Sequence, residues 1–179
     1  MTKPVVLCTL APDLRPLLEA KLAGLADVRF LTELDAGNRP AALADADVLF
    51  CLRPKLEIGA DWPAQPAWRF VQFMSAGVDH IDLARFPKSA TLACNGGGFS
   101  EAMAEHILAM ALALSKKLLY NHHRMQHGVF DQLSDTGTLR GKTAGIIGYG
   151  GIGQATADLL RHFDMRIEAI NSRGHSDHP

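Results

Sequence analysis

Three of the four glycines in one short segment, Gly148, Gly150 and Gly153, are the residues whose spacing points most directly to chemistry. They lie in Gly148-Tyr149-Gly150-Gly151-Ile152-Gly153, which follows the apolar run Thr143–Ile147. A strand, a glycine turn and a helix in this order bind the pyrophosphate of a dinucleotide. Gly148 permits the tight turn, Gly150 lets the backbone approach the phosphates, and Gly153 lets the helix lie close to the strand. The alternative is a glycine-rich loop with no ligand.

A helix and a second strand are predicted directly after this turn. The N-terminus of that helix would offer free N–H groups and the positive end of a dipole to an anion. The second strand is predicted over 166–170. The helix is predicted from apolar residues at helical spacing, which are Ile152, Ala155, Leu159 and Leu160.

The residues after the second strand bear on the choice between NAD(H) and NADP(H). An NAD-type site places an Asp or Glu there to bind the ribose hydroxyls, whereas this chain has Asn171. The neutral amide does not repel a 2′-phosphate, and Ser172 and Arg173 add a hydroxyl donor and a guanidinium able to bind it. The sequence therefore favours NADP(H). The alternative is that Asn171 is a turn residue and Arg173 a solvated charge.

A second candidate ligand loop, Ser75-Ala76-Gly77-Val78-Asp79-His80-Ile81-Asp82, follows a strand predicted over 69–74. Open α/β sheets bind ligands at the carboxyl ends of strands, and free N–H groups in a small-residue turn can hold a carboxylate. The residues equally allow a purely structural loop, in which Gly77 completes a turn and Asp79 and Asp82 cap the next helix.

The remaining pattern indicates an α/β fold with a parallel sheet, because short apolar strands alternate with helical segments. The segment 54–66, rich in proline, is predicted to be irregular. Strands are predicted at 5–8, 28–31, 48–52 and 91–94, and helices at 12–22 and 40–46.

The glycine run at 95–98 predicts a boundary between two domains, 1–98 and 99–179. Ser100 is predicted to cap one long helix from Glu101 to about Tyr120. The middle of that helix is apolar on every face, so we expect it to be buried on every face, partly in a homodimer interface. The segment 121–142 is polar and is predicted to connect this helix to the strand before the turn.

Composition limits the remaining classes of function. The 179 residues have a formal net charge of −1 and no clustered basic stripe, which gives no support to nucleic-acid or membrane binding. The three cysteines, Cys8, Cys51 and Cys94, lie singly in apolar runs, as expected for buried, reduced thiols in a cytoplasmic protein. We expect no signal peptide and no membrane span.

The histidines do not predict a metal site. His123 and His127 share a helix face, but no carboxylate or cysteine is spaced to complete a set of ligands. His80 and His106 lie near the two candidate ligand segments. Solvated or structurally bonded side chains are the favoured interpretation for both.

Three of these features together resemble the D-isomer-specific 2-hydroxyacid dehydrogenase family. They are the G-V-D-x-I-D loop at 77–82, the A-E-H helix start at 104–106, and the G-x-I-G-x-G-x-I-G pattern at 145–153. The resemblance implies a flavodoxin-like substrate domain followed by the first part of a Rossmann domain. The ending Asn-Ser-Arg is similar to that of the NADPH-preferring glyoxylate and hydroxypyruvate reductases of the family.

The resemblance also implies a reaction and its site residues. The reaction is reversible hydride transfer between a nicotinamide dinucleotide and a small 2-oxo or 2-hydroxy acid. The backbone of Ser75, Ala76 and Gly77 would hold the substrate carboxylate, and Arg53 would lie near the cleft wall. The cofactor residues implied are Gly148, Tyr149, Gly150, Gly151, Ile152, Gly153, Asn171, Ser172 and Arg173.

One departure from the family pattern concerns catalysis. Family members use an Arg, a Glu and a His that lie well beyond the second strand, and no residue of this chain matches them. We therefore expect a fragment that is inactive alone. The alternative functions are a dinucleotide-sensing or corepressor-like interaction protein and, less consistent with the loop and helix motifs, an S-adenosylmethionine-dependent methyltransferase.

Overall fold

The computed structural model of the protein describes residues 2–172 and Gly174. The chain divides into two compact units, Met1–Gly96 and Gly97–Pro179. Each unit has its own parallel sheet.

The first unit contains a five-stranded parallel sheet with the strand order β2-β1-β3-β4-β5. This is the order of flavodoxin-like sheets, so the predicted fold class is confirmed. The strands are β1 (Val5–Cys8), β2 (Asp27–Phe30), β3 (Val48–Cys51), β4 (Phe70–Phe73) and β5 (Thr91–Cys94). The helices are α1 (Arg15–Leu22), α2 (Arg39–Asp45) and α3 (Pro54–Ile58).

The core of this unit lies against the central strands. Leu7, Leu49 and Val71 from β1, β3 and β4 have no exposed surface, as expected for parallel strands covered on both faces. Trp68 is also buried, and its indole N–H donates to the Leu43 carbonyl at 2.7 Å, which satisfies the one polar atom of the side chain.

Two predictions for the first unit are wrong. The segment 54–66 is not irregular throughout, because α3 begins at Pro54, a residue whose fixed φ suits the first turn of a helix. Cys94 is exposed rather than buried, whereas Cys8 and Cys51 are buried. Burial raises the pKa of both buried thiols, so they remain protonated at neutral pH.

The second unit begins with two helices and ends with the β-α-β segment predicted around the glycine turn. The elements are α4 (Ser100–Ser115), α5 (Leu118–Gln126), β6 (Thr143–Ile147), α6 (Gly151–Arg161) and β7 (Arg166–Ile170). Strands β6 and β7 are parallel, and Thr143 pairs with Arg166 at one end and Ile147 with Ile170 at the other. Helix α4 packs against α6.

The single long helix predicted over 101–120 is two helices. Ser100 is the first residue of α4 and not its cap, because Phe99 occupies the N-cap position. The helix ends near Lys116, and Lys117 has a φ of +51° in the left-handed region. The N–H of Gly137 donates to the Ser115 carbonyl at 2.8 Å, so a segment distant in sequence satisfies the C-terminal end of α4.

The expectation that α4 is buried on every face is also wrong for this chain alone. Ala104 is its only fully buried residue, and Leu114 is 78% exposed. The connection predicted over 121–142 begins within α5, which extends to Gln126. No helix in the described part of the chain, α4 and α5 included, is long and apolar enough to cross a bilayer.

Candidate functional site

The predicted nucleotide turn has the backbone geometry that its first glycine allows. Gly148 directly follows β6 and has a φ of +96°, which glycine adopts without a steric penalty. Its N–H donates to the Ile170 carbonyl at 2.9 Å, so the start of the turn is fixed against the end of β7. The turn therefore begins at the carboxyl ends of two parallel strands, where open α/β sheets bind ligands.

Gly153 is the position where a side chain is least compatible with this geometry. A Cβ atom there would lie 2.2 Å from the carbonyl oxygen of Gly148 and 3.3 Å from Cγ2 of Ile146. The first distance is far inside van der Waals contact. Helix α6 can therefore lie on the end of β6 only because residue 153 has no side chain.

The N-terminus of α6 presents backbone donors that the helix itself does not use. Its first hydrogen bond runs from the Gln154 N–H to the Gly150 carbonyl at 2.9 Å, so the N–H groups of Gly151, Ile152 and Gly153 have no partner within the helix. Gly150 is the N-cap and makes no side-chain cap bond. A Cβ there would have no atom within 4 Å, which leaves room for an anion beside the donors.

The side chain of Tyr149 does not line this opening. It is buried, and its hydroxyl lies 3.3 Å from Nη2 of Arg161, one of the last residues of α6. This hydrogen bond, followed by the weaker effect of Asp158, raises the pKa of Arg161. At the turn, Tyr149 can therefore contact a ligand through its backbone and not through its ring.

The buried face of α6 differs from the predicted apolar stripe. Ile152 is 41% exposed. Gly153 and Thr156 are buried instead, because the helix lies so close to its neighbours. Of the predicted stripe, only Leu160 belongs to the buried set. The fully buried residues are Gly153, Thr156, Ala157 and Leu160.

Asn171 directly follows β7, as predicted, and is partly buried, while Ser172 is exposed. The Gly174 N–H lies 3.4 Å from the Asn171 carbonyl, which closes a turn at the end of the strand. Arg173, the predicted partner of a 2′-phosphate, lies outside the described residues.

The second candidate loop is held between the two strands that flank β4. The Met74 N–H donates to the Cys51 carbonyl at 2.8 Å, and the Ser75 carbonyl accepts from the Asn95 N–H at 2.9 Å. Ala76 and Gly77 are exposed, and no residue that the structure describes accepts a hydrogen bond from their N–H groups. The hydroxyl oxygen of Ser75 is buried and also has no partner among the described residues. This loop therefore offers unused donors at a sheet edge.

The capping alternative holds for one of the two aspartates in this loop. Asp82 Oδ1 accepts from the Ala84 N–H at 3.2 Å and caps the short 3₁₀ turn Leu83–Arg85. His80 is exposed and lines a cavity of about 320 Å³ together with Arg53, which lies two residues after β3 and was predicted to lie near the cleft wall. His106 is exposed on α4.

Glu57 is a functional-site neighbour that sequence reasoning missed. Its carboxylate accepts from the N–H groups of Leu52 and Arg53 at 3.1 and 2.6 Å and from the hydroxyl of Thr9. It therefore ties together the carboxyl ends of β1 and β3, between which the strand order reverses. The carboxylate occupies that crevice and fixes the backbone of Arg53.

His123 of α5 and His127, the residue after that helix, contact each other without forming a set of metal ligands. The rings of His123 and His127 lie 4.5 Å apart, and Nδ1 of His127 lies 2.8 Å from the His123 carbonyl. Over residues 2–172 and Gly174, no group of three His, Cys, Asp or Glu side chains is arranged to hold a metal ion.

Comparison with known proteins agrees with the geometry of the second unit. Residues 108–179 match the family model of the D-isomer specific 2-hydroxyacid dehydrogenase, NAD binding domain. This match covers the glycine turn, α6 and β7, and it supports a nicotinamide dinucleotide as the ligand class.

Two curated relatives, one named a dehydrogenase and one a reductase, match most of the chain. D-3-phosphoglycerate dehydrogenase of Mycobacterium tuberculosis H37Rv is 30% identical over 174 residues, covering 96% of this chain and 32% of the relative. Glyoxylate reductase of Thermofilum pendens is 30% identical over 131 residues, covering 70% of this chain and 39% of the relative.

A solved structure extends the similarity to the fold. The glycerate dehydrogenase related protein from Thermoplasma acidophilum is 32% identical, has a TM-score of 0.68, and matches 92% of this chain over 53% of its own. This chain thus spans about a third of the length of the curated relatives and about half of the solved chain. The predicted resemblance is confirmed: the chain is a relative of the D-isomer-specific 2-hydroxyacid dehydrogenases, and residues 108–179 match the NAD-binding domain of that family.

Proposed function

We propose that the whole protein is an oxidoreductase that transfers a hydride between NADP(H) and a small 2-oxo or 2-hydroxy acid. The principal observation is the close approach of Gly153 to Gly148, which places the open donors of α6 beside a glycine turn within the matched NAD-binding domain. In this proposal, residues 1–98 bind the substrate and residues 99–179 bind the dinucleotide.

The proposed substrate contacts come from the loop after β4. The N–H groups of Ala76 and Gly77 are exposed and unused within the described residues, and together with Ser75 they would hold the substrate carboxylate. Arg53 would supply a positive charge at the neighbouring strand end. The bound dinucleotide supplies the hydride, while this chain orients the acid and the phosphates.

Reductase activity is tested with the verified full-length protein and two 2-oxo acids. NADPH oxidation is followed by absorbance with glyoxylate or hydroxypyruvate, and dinucleotide binding is measured separately by fluorescence titration. Saturable turnover supports the proposal. Binding of NADPH with no turnover of either acid would contradict it and favour a dinucleotide sensor.

The proposed cofactor preference leads to a prediction for Asn171→Asp. The new carboxylate would repel a 2′-phosphate and accept hydrogen bonds from ribose hydroxyls, so the ratio of NADH to NADPH affinity should rise by about tenfold or more.

Arg173→Ala should weaken NADPH binding much more than NADH binding. The measurement is the Kd of each dinucleotide for each variant, and equal changes for both dinucleotides would contradict a role at the 2′-phosphate.

A homodimer through the helix predicted over 101–120 is the proposed assembly. Apolar side chains of α4 and α5 form an exposed surface around a cavity of about 430 Å³. Large exposed apolar patches of this kind are typical of protein interfaces. The side chains that line the cavity are Met110, Ala113, Leu114, Lys117, Leu119 and Tyr120.

Leu114→Lys should shift the protein from dimer to monomer. The side chain is 78% exposed in the single chain, so a charge is tolerated there but would be buried unpaired in a dimer. Molar mass from light scattering across a concentration series measures the shift. Leu25→Lys, at a leucine of the first unit that is 68% exposed, is the matched control. An unchanged dimer in Leu114→Lys would exclude this surface.

A further inference from the structure

Most arginines in the described part of the chain donate to a carboxylate or carbonyl oxygen of the protein itself. Arg39 donates to the Leu34 carbonyl at 3.1 Å. The guanidinium groups of Arg53 and Arg85 are different, because no described residue provides them with an oxygen acceptor. The arginines that pair with a carboxylate of the protein are Arg15, Arg29, Arg69, Arg124, Arg140, Arg161 and Arg166.

Both unpaired arginines line the same cavity of about 320 Å³ in the first unit. Lys55 and His80 also line it, and among the described residues Asp82 is the one acidic side chain that does so. The Asp82 carboxylate already accepts the Ala84 N–H at 3.2 Å as a cap. The residues that line the cavity therefore carry more positive than negative charge.

The wall of this cavity is aromatic as well as cationic. The guanidinium carbon of Arg85 lies 4.0 Å from the centroid of the Trp62 ring, and Trp62 meets Phe86 edge-on at 5.4 Å. An arginine stacked on an aromatic face is held in place while its N–H donors remain available for a carboxylate or phosphate.

The other arginines stacked on aromatic rings show what is missing at Arg85. Arg15 lies over Phe30 and pairs with Glu19, and Arg124 lies near Tyr120 and pairs with Asp131. Each of those guanidinium groups thus has both an aromatic neighbour and a carboxylate from the protein. Arg85 has the aromatic neighbour but no carboxylate among the described residues.

We infer that this cavity is a binding site for a small organic anion with an apolar body. Arg53 and Arg85 bind its carboxylate or phosphate, and Trp62 and Phe86 pack against its apolar part. The site lies entirely within the first unit and needs no dinucleotide. It shares Arg53 with the proposed substrate contacts and rests on the proposed function for that residue, whereas Arg85 and Trp62 belong to this cavity alone.

The test is a titration of the full chain without dinucleotide. The probes are benzoate, phenyl phosphate and inorganic phosphate. Binding is measured by calorimetry and by tryptophan fluorescence, to which Trp62 in the cavity wall contributes. Benzoate and phenyl phosphate separate a carboxylate ligand from a phosphate ester. At least one of them should bind saturably, and more tightly than inorganic phosphate.

The variant Arg85→Gln should weaken that binding by about tenfold or more, since a hydrogen bond to a charged group is lost. Arg69→Gln is the matched control, because Arg69 is an exposed arginine of the same unit that pairs with Asp47. Far-UV circular dichroism shows that both variants are folded. Equal affinity of Arg85→Gln and the unmodified protein, or no binding of either organic anion, would overturn the inference. Binding of inorganic phosphate as tight as that of both organic probes would overturn the role of the aromatic wall.

Discussion

Gly153→Ala is expected to lower the free energy of unfolding of the second unit by about 1–3 kcal/mol and to abolish dinucleotide binding. The new Cβ would lie 2.2 Å from the Gly148 carbonyl oxygen, a backbone atom at the end of β6. The helix must therefore move away from the strand, which displaces the donors at its N-terminus. Far-UV circular dichroism during urea unfolding measures the loss of stability, and NADPH fluorescence measures binding.

The chain provides two controls for this prediction. Gly145→Ala changes a glycine in β6 whose Cβ would meet no atom within 4 Å, so its effect on stability should lie within about 0.5 kcal/mol. Both tryptophans, Trp62 and Trp68, lie in the first unit, so tryptophan fluorescence reports on the unit that was not changed. A Gly153→Ala protein with unmodified stability and NADPH affinity would show that the close approach is not required.

Short-range patterns were sufficient to predict the nucleotide turn. The φ of Gly148 and the contact at Gly153 are consequences of connecting a strand to a helix within three residues, so glycine spacing alone indicates them. The bounds of β6 and β7 also agree with the predicted strands, because each is a short stretch with apolar residues that ends at a turn signal.

The break between α4 and α5 could not be predicted from local sequence. No glycine or proline occurs between Ser100 and Gln126, so propensity favours a continuous helix. The structure ends α4 through the hydrogen bond from Gly137 to Ser115, a contact between segments separated by more than twenty residues. Tertiary contacts of this kind override helix propensity.

The roles of Glu57 and Arg85 in the first unit were missed for a related reason. Glu57 meets Thr9 only because β1 and β3 are neighbours in the sheet, and Arg53 and Arg85 line one cavity only because α3 and the segment after β4 are close in the fold. Neither pair has a sequence spacing that indicates contact. Such sites depend on the strand order. The alternation of strands and helices predicts the class of the fold but not this order.

Gly150→Ser is expected to separate dinucleotide binding from folding. The backbone of Gly150, with φ −87° and ψ −163°, is open to any residue, and a Cβ there would meet no atom within 4 Å. Serine is a favourable N-cap, so the free energy of unfolding should stay the same or rise by up to about 1 kcal/mol. Its hydroxyl would accept the N–H of Ile152 or Gly153 and occupy the space beside these donors.

NADPH affinity should nevertheless fall by about tenfold or more, since the anion loses a charged hydrogen bond and its closest approach to the backbone. Fluorescence titration of the variant measures this, and urea unfolding of the same sample measures stability. Gly145→Ala is again the control, because it adds a methyl group to the same β-α-β segment outside the turn. A variant that keeps its NADPH affinity would mean that the phosphates do not approach Gly150. Stable folding with lost affinity would instead show that this glycine is required by the ligand, whereas Gly153 is required by the fold.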